Sequence, residues 1–207
     1  MSDPLNERLN KILPRLISDE LLSGSGIGKE MAFYIFDYLP EDELRVRDFL
    51  HTLLDHIPKQ RHGLRVKHIN LFDLLLDYLR TRSNNLLDKA LRLQRQKGDA
   101  FMKNELLKGP LIPKRFAGYF GTVARPQEHD LVIVSGVGSA FPLVRTHALL
   151  SNLHPIMGNT PLVMFYPGKY DQITFRLFGK VTLSTSVESE TRAKNSENYY
   201  RAFKLVP

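Results

Sequence analysis

The chain has 207 residues, of which 43% are hydrophobic and 25% charged, proportions typical of a globular protein with one buried core. It contains no cysteine, which excludes disulfide frameworks and thiolate metal sites, and it has no apolar run of about 18 residues that could cross a membrane. The pattern of an N-terminal signal peptide is also absent, so we expect a single cytoplasmic domain spanning residues 1–207. The net charge of +7 is unevenly placed, since residues 80–125 contain 11 lysines and arginines against three acids.

Residues 1–30 predict a helical segment followed by a linker. Leu5, Leu9, Ile12 and Leu16 recur at helical spacing, and Pro14 is expected to kink this helix or divide it in two. Residues 23–29 (SGSGIGK) have the glycines of a phosphate-binding loop, but no strand precedes them and Glu30 replaces the hydroxyl residue. We therefore favour a flexible linker and keep the phosphate loop as the weaker alternative.

Residues 31–83 predict the order β-α-β-α. The apolar run 31–38 is typical of a strand, and the acids at 41–43 suit the first turn of a helix. That helix continues to Pro58 with one buried stripe, and a second strand follows at 64–69. A third amphipathic helix then has its apolar residues at Phe72, Leu75, Leu76 and Leu79.

Residues 84–125 predict a basic helical elaboration inserted between two halves of the sheet. A break is expected at Gly98, a short loop between Pro110 and Pro113, and a further helix around residues 116–120. Its basic side chains indicate either a solvated helix face or a surface for DNA or an acidic partner, and no named nucleic-acid module matches. The candidate contacts are Lys89, Arg92, Arg95, Lys97 and Lys103.

Residues 129–171 predict the central β-α-β unit of the fold. An unbroken apolar strand at 131–134 stops at a glycine-rich turn, and Pro142 suits the first turn of the helix that follows. We expect Leu143, Val144, His147, Leu150 and His154 to share one face of this helix, which Gly158 ends. A second buried strand at 160–166 is expected to end at Pro167-Gly168 and to lie parallel to the first.

The C-terminal part predicts a strand or short helix at 173–181, a mobile polar loop at 182–198 and a closing strand at 199–206 near a sheet edge. The predicted fold class is therefore α/β, with a doubly wound, mostly parallel sheet of about five strands flanked by helices. The sheet would resemble the core of a P-loop NTPase that lacks the Walker motifs.

No complete catalytic constellation is present. The Gly-x-Ser-x-Gly motif is missing, and residues 135–139 (SGVGS) lack the third glycine and the acid of a dinucleotide site, which stays a weaker alternative. Ser135 stands where an NTPase has its magnesium-binding acid. His147 and His154 are interpreted as packed helix residues rather than zinc ligands. We therefore expect a non-catalytic domain with no cofactor and no metal.

Polar and aromatic residues gather at the predicted strand ends. Tyr166, Gly168, Tyr170 and Asp171 follow one central strand, Asp37 and Tyr38 end another, and Arg145 and Arg176 are the natural charged companions. One interpretation is that the tyrosines cap the core and that Asp171 caps a turn. The other is a partner-binding surface, because tyrosine and arginine are favoured at protein interfaces.

Five stretches form a distinctive combination: residues 33–38 (FYIFDY), 149–155 (LLSNLHP), 161–171 (PLVMFYPGKYD), 177–179 (LFG) and 199–203 (YYRAF). This combination resembles the BrxB family, the small B components of BREX bacteriophage-exclusion systems. The resemblance implies a cytoplasmic bacterial defence protein encoded beside a PglZ alkaline-phosphatase-like protein, a BrxC ATPase and a PglX adenine-specific DNA methyltransferase. It supplies no catalytic residues, and the 182–198 segment is longer than it leads us to expect.

Two hypotheses about function follow. The first is a non-enzymatic adaptor that joins BREX components, with the PglZ-like protein as the foremost partner. The second is a DNA-binding or degenerate nucleotide-binding subunit that uses the basic region at 80–125. The sequence leaves open which component is contacted, through which face, and whether the chain self-associates.

Overall fold

A mostly parallel sheet forms the centre of the computed structural model, which describes residues 3–23, 32–82, 85–171, 174–178 and 201–206. Five strands lie parallel in the order β2-β3-β4-β1-β6, and β5 pairs antiparallel with the outer end of β4. The strands are β1 (Ala32–Tyr38), β2 (Val66–Asn70), β3 (Leu131–Ser135), β4 (Leu162–Tyr170), β5 (Phe175–Leu177) and β6 (Arg201–Lys204).

Helices cover both faces of this sheet. On one face lie α1 (Pro4–Asn10), α2 (Ile12–Leu16), α3 (Asp19–Ser23) and α4 (Glu43–Gln60). On the other lie α5 (Leu71–Thr81), α6 (Leu86–Lys97), α7 (Asp99–Lys108), α8 (Pro113–Ala124), α9 (Val137–Ala140) and α10 (Thr146–Met157). None of the helices in the described ranges is long and apolar enough to cross a membrane.

The strand residues alternate between two hydrophobic cores. Phe33, Ile35 and Val134 point into the core beneath α5–α10, whereas Phe36 and Ile133 point into the core beneath α1–α4. Because both faces are covered, β1 up to Phe36, β3 up to Val134 and the first part of β4 are apolar without interruption, which is the pattern seen in the sequence. Each such side chain stabilises the fold by roughly 1.5–3 kcal/mol.

The α/β class and the mostly parallel sheet flanked by helices are confirmed. β3 and β4 are parallel neighbours joined through helices, as the β-α-β pattern predicted, and β6 lies at the sheet edge. The described residues form six strands where the sequence indicated about five, and the resemblance to a P-loop NTPase sheet stays a prediction. The basic segment forms α6, α7 and α8, with the predicted break at Gly98.

Two predictions about the central unit are wrong. β4 does not end at Pro167-Gly168, because its last residues leave the parallel ladder and pair with β5. Pro167 is the last residue opposite β1, so its missing N–H costs little there. Pro142 does not open a helix either, since α9 ends at Ala140 and α10 begins only at Thr146.

The later start of α10 also changes its buried face. Leu149, Leu150, Leu153 and Met157 are buried, whereas His147 is exposed. The predicted face included Leu143 and Val144. Both residues precede the helix, so their spacing does not indicate which side of α10 is buried.

Near the N-terminus, the helix break occurs at Lys11 instead of Pro14. Pro14 lies in the first turn of α2, where a backbone N–H would have no partner within the helix. The predicted linker begins at Ser23, which ends α3, and its remaining residues lie outside the described residues, as does the polar segment at 182–198.

Candidate functional site

Asp37 is a buried charge beneath the carboxyl edge of the sheet, with only 6% of its surface exposed. Its Oδ1 accepts a hydrogen bond from the Arg8 guanidinium at 2.8 Å. Its Oδ2 accepts one from the Lys204 ammonium at 3.2 Å and one from the Tyr170 backbone N–H at 3.0 Å. A buried carboxylate is tolerated only with such partners. Asp37 therefore ties α1, β4 and β6 to the end of β1.

The three tyrosines of the predicted cluster are also buried. The Tyr38 hydroxyl donates to Glu43 at 2.6 Å, and burial together with this carboxylate raises the pKa of Tyr38. Burial raises the pKa of Tyr166 as well. The Tyr170 hydroxyl donates to the Ala202 carbonyl at 2.9 Å. The phenols of Tyr38 and Tyr166 therefore stay neutral, and all three tyrosine side chains pack in the core, as in the first interpretation of the cluster.

Of the remaining predicted residues, Gly168 is buried, and Arg145, Asp171 and Arg176 are exposed. Gly168 is required by geometry, because a Cβ there would overlap the Arg176 carbonyl on β5. Asp171 and Arg176 form an exposed ion pair at 3.8 Å, and Asp171 also accepts hydrogen bonds from Thr174. Arg145 is exposed at the start of α10. The structure thus gathers the cluster around β4 and β1 but buries most of it, and contact of these residues with a partner stays a prediction.

Large apolar side chains are exposed along the same edge. Of the eight exposed ones among the described residues, five lie in the segments that follow β1, β2, β3 and β5, and the other three lie on α6, on α7 or just before α8. We call the five the carboxyl-edge surface: Leu39 (60% exposed), Leu44 (71%), Phe72 (37%), Phe141 (36%) and Phe178 (42%).

The strand order arranges this surface as a row. Phe72 follows β2, Phe141 follows β3, Phe178 lies beside β4, and Leu39 and Leu44 follow β1. The Phe178 N–H donates to the carbonyl at the end of the β4–β1 ladder at 3.0 Å, and its ring contacts that of Phe141 edge to face at 6.4 Å. At the usual strand spacing the row extends about 15 Å. The sequence does not reveal this surface, because an apolar residue next to a buried apolar run cannot be distinguished from a core residue by pattern alone.

The glycine-rich turn after β3 is filled by the protein's own side chains. Gly136 has a φ of +69°, and a Cβ there would overlap the Asn70 amide. A Cβ on Gly138 would lie 2.9 Å from Pro167 and 3.1 Å from the Phe178 ring. A phosphate-binding turn instead leaves the space beside its glycines to the ligand. The turn therefore has the geometry of a packing element.

Ser135 and His68 form a contact that sequence analysis missed, since 67 positions separate them. His68 Nε2 lies 2.8 Å from the Ser135 hydroxyl, across the β2–β3 ladder. Burial, followed by the nearby His51, lowers the pKa of His68, so its ring stays neutral near pH 7. A histidine beside a serine is one half of a nucleophilic site. Here the hydroxyl is buried and the turn that follows it is filled.

The two histidines of α10 do not come together as a site. His147 is exposed, and His154 is half-buried with its ring edge-on to Phe33 at 6.3 Å. Within the described ranges, no three His, Asp or Glu side chains are grouped so that they could hold a metal ion.

The basic candidates lie on α6 and α7. Lys89, Arg92 and Arg95 are exposed and recur every three residues, so they follow one side of α6. Lys97 is exposed with its ammonium above the Phe101 ring at 4.5 Å, and Lys103 is half-buried.

Two cavities open on the surface. An apolar groove of about 270 Å³ lies between the α7–α8 region and the start of α10, beside Arg145. A polar cleft of about 480 Å³ lies at the opposite, amino edge of the sheet. Its lining includes Arg61, His62, His129, Asp130 and Thr160.

Comparison with known proteins gives one family. Residues 67–205 match the family model described as BREX protein BrxB. A protein of the same description from Escherichia coli O9:H4 (strain HS) is 37% identical over 208 residues, covering 100% of this chain and 94% of the relative. Another, from Bacillus cereus (strain H3081.97), is 33% identical over 203 residues, covering 98% and 97%. No solved structure matches the chain.

Proposed function

The chain belongs to the family of BREX protein BrxB, and on that premise we propose that it is a non-catalytic adaptor of a BREX anti-phage defence complex. In this role it binds other components and holds them together, and it carries out no chemistry itself. Membership in a BREX family supports a role in defence and phage exclusion.

The carboxyl-edge surface is the observation that supports the adaptor role most strongly. Exposed apolar groups that gather in one place, rather than singly, mark interaction sites in soluble proteins. Aromatic residues are enriched at interfaces, and three of the five residues in this row are phenylalanines. Arg176 and Asp171 lie beside Phe178 along the chain and give the surface a polar rim.

The filled turn after β3 supports the absence of catalysis. In open α/β sheets, ligands usually bind outside the carboxyl ends of the central strands. Here Asn70, Pro167 and Phe178 occupy the space beside the glycines, and Asp37 is engaged by Arg8 and Lys204. At the carboxyl edge, the polar groups nearest to this turn are thus paired or buried.

The PglZ-like phosphatase-fold protein is the partner that we place first, and the BrxC-like ATPase and the PglX-like methyltransferase are further candidates. The resemblance to the BrxB family implies that all three are encoded near this chain, and this supports considering them as partners. A cytoplasmic location belongs to the same proposal.

Co-purification with the PglZ-like protein from the same locus, followed by size-exclusion chromatography, tests the adaptor role. We expect a stoichiometric complex that Leu39→Glu and Phe178→Glu each weaken about tenfold or more, since a charge would enter an apolar interface. Leu91→Glu is the matched control, because Leu91 is 43% exposed but lies on α6. Separate elution of the wild-type proteins would refute the pairing. If all three substitutions weaken the complex equally, the carboxyl-edge surface is not the binding site.

A DNA-binding role is the second candidate, supported by the row of Lys89, Arg92 and Arg95. None of the three has an ion-pair partner in the part of the chain that the structure describes. If these three side chains contact phosphates, DNA affinity should fall steeply as the salt concentration rises. A plot of log affinity against log salt concentration should have a slope of about −0.9 for each phosphate contact. Arg92→Glu with Arg95→Glu should abolish the binding. Undetectable binding at low salt would exclude this function.

A further inference from the structure

We propose that the apolar groove between α8 and α10 binds an acidic segment of a partner protein, a segment that also carries one or two large apolar side chains. The occupant inserts its apolar side chains into the groove and pairs its carboxylates with the surrounding cations. This goes beyond the adaptor role, because it assigns a separate site and the chemistry of its ligand, whichever protein supplies it.

The groove has walls from two distant parts of the chain. Leu107, Leu111 and Phe116 come from α7, α8 and their connection, and Leu143 and Leu149 come from the segment around the start of α10. Pro113, Val144 and Ala148 complete an apolar lining, and Arg145 is its one charged residue. Apolar walls with a single charged group fix both the position and the orientation of a bound side chain.

The size of the groove favours a peptide side chain over a small-molecule ligand. Its volume of about 270 Å³ lies below the roughly 300–1,000 Å³ typical of small-molecule sites. Interface anchors are large apolar side chains seated in a pocket of the partner, and one or two of them fit this space.

The positive charge around the groove favours an occupant with negative charge. The segments that line it, 107–116 and 143–149, contain Lys108, Lys114, Arg115 and Arg145 and no acidic residue. All four cations are exposed. Arg145 in the lining and the three cations on the segments that supply the walls attract carboxylates and repel a basic segment.

A second copy of the chain is the main competing occupant. The segment 39–44 (LPEDEL) combines acids with the exposed Leu39 and Leu44. Its docking on a neighbouring copy closes into a pair only if the two copies exchange the segment about a two-fold axis, and otherwise it generates rings or open filaments. A distinct partner protein avoids this outcome, and we commit to it.

Fluorescence polarisation with a designed peptide tests the inference on the full chain. The probe is a labelled peptide with a leucine and a phenylalanine one helical turn apart among glutamates. The comparison peptide has lysines in place of the glutamates. We expect the acidic peptide to bind and the basic one not to bind.

Two pairs of substitutions separate the effect of charge on binding from the effect of the groove's shape. Arg145→Glu should weaken binding roughly tenfold, because an attraction becomes a repulsion at a partly exposed site. Arg95→Glu makes the same charge change on α6 and should alter binding less than about twofold. Ala148→Phe should fill the groove and weaken binding at least about tenfold, whereas Ala148→Ser keeps its volume and should bind normally.

Four outcomes would overturn the inference. They are no binding of the acidic peptide to the wild type below about 1 mM, equal binding of the basic peptide, equal loss with Arg95→Glu, and normal binding by an Ala148→Phe variant with a wild-type circular dichroism spectrum. Self-association that Arg145→Glu abolishes would assign the groove to a second copy. Binding that arises only after deletion of residues 182–198 would assign it to the chain's own segment.

Discussion

Replacing Asp37 by alanine should lower the free energy of unfolding by about 3 kcal/mol, since its carboxylate ties three segments together. The side chain of Asp37 is 8% exposed, and it receives hydrogen bonds from Arg8, Lys204 and the Tyr170 N–H. Asp37→Asn keeps a neutral acceptor and should cost about half as much.

The magnitude follows from the two kinds of partner. The Tyr170 N–H is buried, so leaving it without an acceptor costs about 1–3 kcal/mol. The Arg8 and Lys204 side chains are each 28% exposed and can regain water, so the two lost ion pairs together add only about 1 kcal/mol. The larger part of the loss therefore comes from the backbone N–H.

Urea unfolding followed by circular dichroism measures this loss. Asp48→Ala is the control, because Asp48 is exposed on α4, and it should change the stability by less than about 0.5 kcal/mol. If Asp37→Ala is as stable as the control, Asp37 does not hold the edge together. Its carboxylate would then be available to a partner.

Four further substitutions test other contacts. Gly118→Ala should raise the stability by about 0.5–1 kcal/mol, because the position is helical and open, whereas Gly121→Ala should lower it, because its Cβ would lie 2.6 Å from Ile156. Equal melting temperatures of the two variants would contradict the close packing of α8 on α10. Burial lowers the pKa of His68, so below about pH 6.5 the unfolded chain binds a proton that the folded chain does not. The wild type should therefore lose stability as the pH falls through this range, and His68→Gln should lose less. Identical plots of stability against pH for the two proteins would contradict a lowered pKa of His68 in the folded state. Gly168→Ala should displace β5 and lower both the melting temperature and the affinity for the PglZ-like protein, and a variant unchanged in both would show that the close approach is dispensable.

Local patterns predicted the elements that local forces determine. The unbroken apolar runs located β1, β3 and the first part of β4, and Gly98 and Gly158 end helices where their positive φ angles are needed. The start of α10 could not be predicted, because apolar residues at helical spacing also occur in the turn before it. The continuation of β4 depends on its pairing with β5, and no signal within residues 162–170 specifies that pairing.

The candidate site was predicted in position but not in exposure. The sequence placed Asp37, Tyr166 and Tyr170 at the carboxyl edge, where they lie. Their burial depends on partners far along the chain, since Arg8 is 29 positions and Lys204 167 positions from Asp37. The exposed phenylalanines escaped notice for the converse reason, because only the fold shows that no segment described in the structure covers them fully.

Hydrogen–deuterium exchange, measured on the protein alone and bound to the PglZ-like protein, tests most directly whether the carboxyl edge is the adaptor's binding surface. We predict that binding slows exchange in residues 39–44, 141–145 and 168–178. The amino edge at 61–65 and 129–130 should exchange as in the free protein. Slower exchange confined to the amino edge, or a bound complex with an unprotected carboxyl edge, would contradict the proposed surface.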